Sequence, residues 1–304
     1  MNDEGAPAVA NSTLVIIPTY NEVENLPLIV GRVLDSAPEV DILVVDDNSP
    51  DGTGAKADEL AGRHAEVHVL HREGKEGLLA AYRAGFEWGL EREYQVLCQM
   101  DADGSHAPEE LAKLLRAIEE GADVAIGSRY VDGGKTVNWP WYRRALSQGG
   151  NRYIGLVLGG GVNDMTAGYR AFRREVLEDL DLDSLSAKGY IFQVEIAHRV
   201  VEEGFDVREV PITFEDRKHG ESKLDASFAA TSLAEVTKWG VTEKASAAAE
   251  LAQEMGGLAR YELERSPLAN TGSAIANAAK FVGDAATEMA GLARYELRRA
   301  GLGR

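Results

Sequence analysis

Val96-Leu97-Cys98-Gln99-Met100-Asp101-Ala102-Asp103-Gly104-Ser105-His106 runs from an apolar stretch straight into two carboxylates one residue apart. Pro108-Glu109-Glu110 follows with the signature of a helix start. We read a buried strand that delivers two aspartates to a sheet edge. Ligands of open α/β sheets collect at the carboxyl ends of the strands, where hard oxygen donors suit Mg²⁺ or Mn²⁺ beside phosphates. Taken alone, Asp-x-Asp is equally a solvated turn whose aspartate caps a helix, so the neighbouring segments decide.

Leu14-Val15-Ile16-Ile17 is another buried run, stopped by Pro18-Thr19-Tyr20-Asn21-Glu22, after which Leu26, Ile29, Val30, Val33 and Leu34 keep helical spacing. Ile42-Leu43-Val44-Val45 enters Asp46-Asp47-Asn48-Ser49-Pro50-Asp51-Gly52-Thr53, a turn cluster feeding a helix over 55–61. Val67-His68-Val69-Leu70 precedes a glycine-bearing loop over 71–77 and a helix over 78–90. Four consecutive strand-helix alternations predict an α/β fold with a mainly parallel, doubly wound sheet. Its loops at one edge carry Tyr20, Glu22, Asp47, Lys75, Asp101 and Asp103. No Gly-x-Gly-x-x-Gly follows the first strand and there is no Walker-type lysine loop, so hydride transfer and P-loop chemistry lack their phosphate grip. An acidic nucleotide pocket then needs a metal to neutralise a diphosphate.

The 304 residues, 44% hydrophobic and 27% charged, suffice for one large domain and an appendage. Cys98 is the only cysteine and lies in an apolar strand, which makes it a core residue and predicts a reducing compartment. The acidic Met1-Asn2-Asp3-Glu4-Gly5 has no signal-peptide pattern. The best apolar run, over 154–162, contains four glycines and is too short to span a bilayer. The expected location is therefore cytoplasmic, at most peripheral to a membrane. The net charge of −18 argues against nucleic acid as a partner. Residues 242–304 hold eight basic and eight acidic residues, so residues 1–241 carry all of that excess. Six scattered histidines offer no zinc cluster.

Within that acidic part, Arg129, Lys135, Arg143, Arg144 and Arg152 fall in a stretch whose only acid is Asp132, which reads as an anion grip. Trp139-Pro140-Trp141-Tyr142 lies inside it and either packs the loop or holds a prenyl chain; packing is the favoured reading. Ile191-Phe192-Gln193-Val194-Glu195 opens a helix, and Glu195 either touches a sugar or caps that helix.

Six segments in order resemble the dolichyl- or polyprenyl-phosphate β-mannosyltransferases of glycosyltransferase family 2. They are Pro18 to Glu22, Val45 to Thr53, Met100 to His106, Gly127-Ser128-Arg129-Tyr130, Thr166-Ala167-Gly168-Tyr169-Arg170, and Arg217-Lys218-His219-Gly220-Glu221-Ser222-Lys223. The resemblance covers roughly residues 13–240. It implies a GT-A fold over 13–241, a GDP-mannose donor, Mg²⁺ or Mn²⁺, and a polyprenyl or dolichyl phosphate acceptor at a membrane surface.

Residue by residue, it implies that Pro18, Tyr20, Glu22, Val45 and Asp47 surround the donor's base and ribose, and that Asp101, Ala102 and Asp103 meet its diphosphate. Asp101, Asp103 and Ser105 are the implied metal ligands, with Ser105 a departure, since some relatives carry a longer glutamine there. The acceptor phosphate is implied to meet Arg129, Arg143, Ser147, Lys188, Arg217 and Lys223, of which Arg129 and Arg217 join Asp101 and Asp103 as catalytic. An anionic acceptor needs no base, and in-line attack inverts the sugar. UDP-glucose and UDP-GlcNAc enzymes share these motifs in outline. A nucleotidyltransferase and a catalytically silent nucleotide-sugar binding module are the readings from other classes.

Residues 1–12 are expected to be a flexible N-terminus and 242–304 a helical extension. In the extension, Glu254 to Arg265 recurs as Glu288 to Arg299. Two copies are too few for a solenoid. We expect those helices to pack mainly on protein or to mediate self-association, with the terminal arginines adding salt-sensitive membrane affinity.

Overall fold

A computed structural model of the chain describes residues 12–185, 191–216 and 234–242. The chain divides into two units, Met1–Lys223 and Leu224–Arg304, upstream of the boundary expected at 241. In the second unit the described residues, 234–242, are helical. The expected flexible segment before Ser12 and the duplicated helices beyond 242 lie outside the described residues.

In the first unit the strands are β1 (Thr13–Thr19), β2 (Asp41–Asp46), β3 (Val67–His71), β4 (Val96–Gln99), β5 (Val124–Ser128), β6 (Lys135–Val137), β7 (Arg170–Arg173), β8 (Val207–Pro211) and β9 (Thr213–Glu215). Between them run α1 (Leu26–Ser36), α2 (Thr53–Ala61), α3 (Leu78–Leu90), α4 (Leu111–Glu119), α5 (Trp141–Leu158), α6 (Arg174–Asp179) and α7 (Phe192–Glu202). The main sheet has the order β3-β2-β1-β4-β7-β5-β8, and β6 pairs with β9 in a small second sheet. Within the main sheet β7 runs antiparallel to both β4 and β5, and the other pairs are parallel. Strands buried on both faces must read as unbroken apolar runs, as β1, β2 and β4 do.

The sheet order reverses at β1, with β2 on one side and β4 on the other. Pairing between β1 and β4 ends at Ile16↔Gln99, while β1 continues beside β2 to Thr19↔Asp46. Pro18, which has no N–H to give, thus falls where β4 no longer pairs with β1. The chain after β1 and the chain after β4 therefore leave opposite walls of one crevice at the strands' carboxyl ends. Helix α3 closes on these strands through Gly85 and Gly89. A Cβ on Gly85 would lie 2.5 Å from Ile16, and one on Gly89 would lie 2.6 Å from Leu97. Cys98 is fully buried in β4, as expected of a core residue.

Two buried arginines brace the segment that leads into β7. Arg129, just past β5, donates from Nε to Asp164 Oδ2 at 2.7 Å, and from Nη2 to Asp164 Oδ1 at 2.6 Å and Thr166 Oγ1 at 2.8 Å. Its backbone N–H also donates to Asp164. Arg170, with no exposed surface, donates to the carbonyls of Ala167 and Met165 at 2.8 and 2.9 Å. Burial brings the Arg170 guanidinium down to about 9, against the pull of Asp164 and Glu209. Burial opposes ionisation of Asp164 as well, but the charge and hydrogen bonds of Arg129 outweigh it and hold the carboxyl below its ordinary range.

One carboxylate thus faces two buried cations, and Asp164→Asn should lower stability by about 3–5 kcal/mol in urea denaturation. The sign with pH follows from the lowered carboxyl. Its contribution is fully present above the unfolded value of about 3.9 and is lost as pH falls through the folded value. The gap between parent and variant should therefore narrow in acid. A variant as stable as the parent at neutral pH would contradict the role given to this pair.

Candidate active site

The turn after β4 is held by its own polar groups. Tyr82 on α3 donates its hydroxyl to Asp101 Oδ1 at 3.1 Å, and the Asp101 backbone N–H donates to His106 Nδ1 at 3.1 Å. A ring nitrogen that accepts carries no proton, so this geometry assigns the His106 proton to Nε2. The imidazole is buried, stacked on Tyr169 with centroids 5.0 Å apart and edge-on to Phe214 at 5.7 Å. Gly104 adopts a left-handed φ of 76°, and Asp103 Oδ1 accepts the Ser105 N–H at 3.0 Å. This is an Asx turn that presents Asp101 and Asp103, both partly exposed, on one short loop.

The donor set suits a hard divalent cation, and a buried orphan supports the fit. The hydroxyl of Ser105, two residues after Asp103, is buried without a hydrogen-bond partner, a condition that native structures rarely leave unexplained. Among the described residues no three His, Cys, Asp or Glu side chains converge as a metal cage. Asp101, Asp103 and at most Ser105 would hold Mg²⁺ or Mn²⁺, and a six-oxygen shell would take its remaining ligands from a diphosphate and water.

Across the crevice, the loop after β1 is stitched to the loop after β2. The backbone N–H groups of Asn21, Glu22 and Val23 donate to Ser49 Oγ, Thr53 Oγ1 and Asp51 Oδ2 at 3.1, 2.9 and 3.2 Å. Asp46 in turn accepts from Thr19 Oγ1 and from the Ser49 hydroxyl and N–H. Asn21 and Asn48 take left-handed φ angles of 61° and 56°, which asparagine tolerates better than most residues. Pro18, Tyr20, Glu22, Val45 and Asp47 are thereby gathered at the ends of two adjacent strands. The Lys75 ammonium lies 3.6 Å from the centre of the Tyr20 ring. Asp47 is buried and paired with Arg72, which also reaches Glu76. Burial pushes the Asp47 carboxyl up, with Arg72 opposing.

The expected phosphate grip comes out differently. Arg129 is not an open cation, because its side chain is buried against Asp164 and Thr166 and lies about the rings of Tyr130, Trp139 and Phe214. Arg143 is partly exposed, bonded to Asp216 at 2.9 and 3.0 Å and set 4.2 Å over Trp139. The Ser147 hydroxyl accepts from Tyr130 at 2.6 Å, and Asn151 links the Ser147 carbonyl to Thr166. Lys188, Arg217 and Lys223 lie outside the described residues.

The aromatic cluster splits, since Trp139 is buried edge-on to Phe214 while Trp141 and Tyr142 are exposed. Glu195 is buried on α7 and pairs with Arg199 at 2.6 Å. Tyr82, Arg72 and Asp164 shape the site and were not singled out from sequence for these roles. Arg72 and Tyr82 fall within the loop and helix already read over 71–77 and 78–90, and Asp164 lies two residues before the Thr166 to Arg170 segment, but nothing in their spacing names their partners.

Residues 14–181 match the model of the family "Glycosyl transferase family 2". The polyprenol monophosphomannose synthase of Mycolicibacterium smegmatis is 60% identical over 230 residues, 75% of this chain and 87% of that protein. The undecaprenyl-phosphate mannosyltransferase of Micrococcus luteus is 53% identical over 76% of this chain and 95% of that protein. The dolichol-phosphate mannosyltransferase of Pyrococcus furiosus is 42% identical over 69% of this chain and 58% of that protein. In fold, the chain is similar to glucosyl-3-phosphoglycerate synthase of Mycobacterium tuberculosis in complex with Mn²⁺, UDP and glucosyl-3-phosphoglycerate. The TM-score is 0.56 at 17% identity, covering 75% of this chain and 80% of that one. The mainly parallel, reversing sheet with its strand-end aspartates is a GT-A fold, and the chain belongs to glycosyltransferase family 2 and is a glycosyltransferase.

Proposed function

We propose that this chain transfers mannose from GDP-mannose to a polyprenyl phosphate, with Mg²⁺ or Mn²⁺ and with inversion at the sugar. The observation that carries the reading is the pairing of an Asp101/Asp103 turn, too sparse to cage a metal by itself, with a crevice at the reversal of the sheet. Three relatives named for mannose transfer or synthesis on polyprenol, undecaprenyl and dolichol carriers support the choice of sugar and acceptor.

The chain's own residues divide the work by charge. Asp101 and Asp103 would hold the cation, and Tyr82 and His106 fix Asp101 so that the carboxylate need not reorganise when the donor arrives. When bound there, the metal would supply Lewis-acid stabilisation of the departing diphosphate. Tyr20, Glu22, Val45 and Asp47 receive base and ribose, with Arg72 and Lys75 holding Asp47 and Tyr20 in place. The acceptor phosphate is an anion at neutral pH, so no base has to free its nucleophile. Its approach needs counter-charge, which we assign to Arg143, joined by Lys188, Arg217 and Lys223. Arg143 would exchange Asp216 for phosphate, a contact that guanidinium makes in bidentate form. Arg129 contributes as a positioning residue, by tying the end of β5 to Asp164 and Thr166.

Incubation with prenyl phosphate, Mg²⁺ or Mn²⁺ and separate GDP-mannose, UDP-glucose and UDP-GlcNAc should give a mannosyl phospholipid by mass spectrometry from GDP-mannose alone. Asp103→Asn should cut that transfer by about 100-fold or more while leaving the thermal melt in place. Product from a UDP-sugar, or near-parental turnover of the variant at saturating metal, would overturn the donor or the metal assignment. Arg143→Ala should lower kcat by about 10- to 100-fold with GDP–Mn²⁺ affinity little changed in calorimetry. A parallel collapse of nucleotide affinity would move Arg143 to the donor side.

A further inference from the structure

Helix α5 carries large apolar side chains on its outward face as well as its inward one, unlike an ordinary surface helix. Asn151, Ile154 and Leu158 are buried, and through Ser147 and Asn151 this inner side is bonded to Tyr130 and Thr166 of the candidate site. The outer side presents Trp141 at 80% exposure, Leu156 at 79%, Leu146 at 62%, Tyr142 at 61% and Tyr153 at 37%. With 3.6 residues per turn, these five fall within one sector of roughly 140°. They are five of the six large hydrophobic side chains exposed among the described residues, so the patch is concentrated on one helix. Scattered exposed hydrophobics need no explanation, but a contiguous set does.

The charge around the patch is equally one-sided. Residues 141–158 contain no acid, and Arg144 and Arg152 are exposed on the same helix, with Lys135 exposed on β6, in a chain of net charge −18. Tryptophan and tyrosine beside aliphatic residues, flanked by arginine, is the composition of a helix that lies in the headgroup layer of a bilayer. A second copy of the chain fits less well, because a two-fold contact through α5 would set these arginines against their own counterparts. No helix among the described residues is long and apolar enough to cross a membrane.

We propose that the outer face of α5 docks on an anionic lipid bilayer and holds the acceptor side of the site at the headgroup level. The proposal rests on the reading of the acceptor as a prenyl phosphate, whose phosphate sits at that level while its chain stays in the hydrocarbon. Docking through α5 also places the principal membrane contact in the catalytic unit, not in the terminal arginines of the extension.

The test uses the full chain and co-sedimentation with vesicles of phosphatidylcholine, with and without phosphatidylglycerol. The parent should partition onto the anionic vesicles, and Trp141→Ser with Leu156→Ser should weaken this by about tenfold or more. Arg144→Gln with Arg152→Gln should weaken binding to the anionic vesicles only. The Trp141/Leu156 variant should keep the parental thermal melt and parental transfer from GDP-mannose to a short-chain, water-soluble prenyl phosphate. Parental vesicle binding by that variant, or no binding by the parent, overturns the proposal. So does a parent that is dimeric and a variant that is monomeric on sizing, with no change on vesicles. If the parent fails to transfer to the soluble acceptor while the vesicle results hold, the docking surface stands and the mannosyltransferase reading falls.

Discussion

The parting of β1 from β4 at their carboxyl ends is the constraint on which the rest of the structure depends. Pairing stops at Ile16↔Gln99, and the two chains then diverge, one toward Tyr20 and Glu22 and the other toward Asp101 and Asp103. A crevice between strands that leave in opposite directions needs no excavation of the core, so the sheet can stay fully buried up to its rim. Close approach of α3 through Gly85 and Gly89 stiffens the same two strands from one side. It also carries Tyr82 to Asp101.

Electrostatics then decides which charges are available. In an acidic chain, Arg129 is matched with Asp164, Arg72 with Asp47 and Arg143 with Asp216. These pairs differ in depth. The Arg129 pair is buried and bidentate, so breaking it would strand a charge in low dielectric. The Arg143 pair is partly exposed and can exchange its partner at modest cost. Burial alone therefore separates a bracing arginine from one able to meet a phosphate, although both sit in one basic stretch of sequence. On the proposed reading a diphosphate would be left to a cation, because the described part of the crevice wall that carries Asp101 and Asp103 offers carboxylates and a hydroxyl.

Strands β1, β2 and β4 were legible because each carries an apolar run ending in turn residues, the pattern that burial on both faces demands, while β3, at the sheet edge, was legible from its Val67, Val69 and Leu70. Strand β7 was not legible. Arg170-Ala171-Phe172-Arg173 begins with a fully buried arginine and slots antiparallel between β4 and β5, an arrangement fixed by tertiary contacts and not by local pattern. The strand-end carboxylates were visible as residues, while their supports were not. Tyr82 lies 19 residues from Asp101 and Asp164 lies 35 from Arg129. Counting charge within 129–152 read Arg129 as part of an anion grip, since the acid it pairs with, Asp164, falls beyond that stretch. Trp139 and Trp141, two residues apart, have opposite burial, which only the turn into α5 determines.

The central claim is that Asp101 and Asp103 make half a metal site, completed by the nucleotide's diphosphate. Mn²⁺ binding, followed by electron paramagnetic resonance with and without GDP, tests it most directly. Weak binding to the protein alone, strengthened by about tenfold or more when GDP is present and by the same factor for GDP when Mn²⁺ is present, is the predicted result. Tight Mn²⁺ binding without nucleotide, or affinities that do not respond to one another, would contradict it.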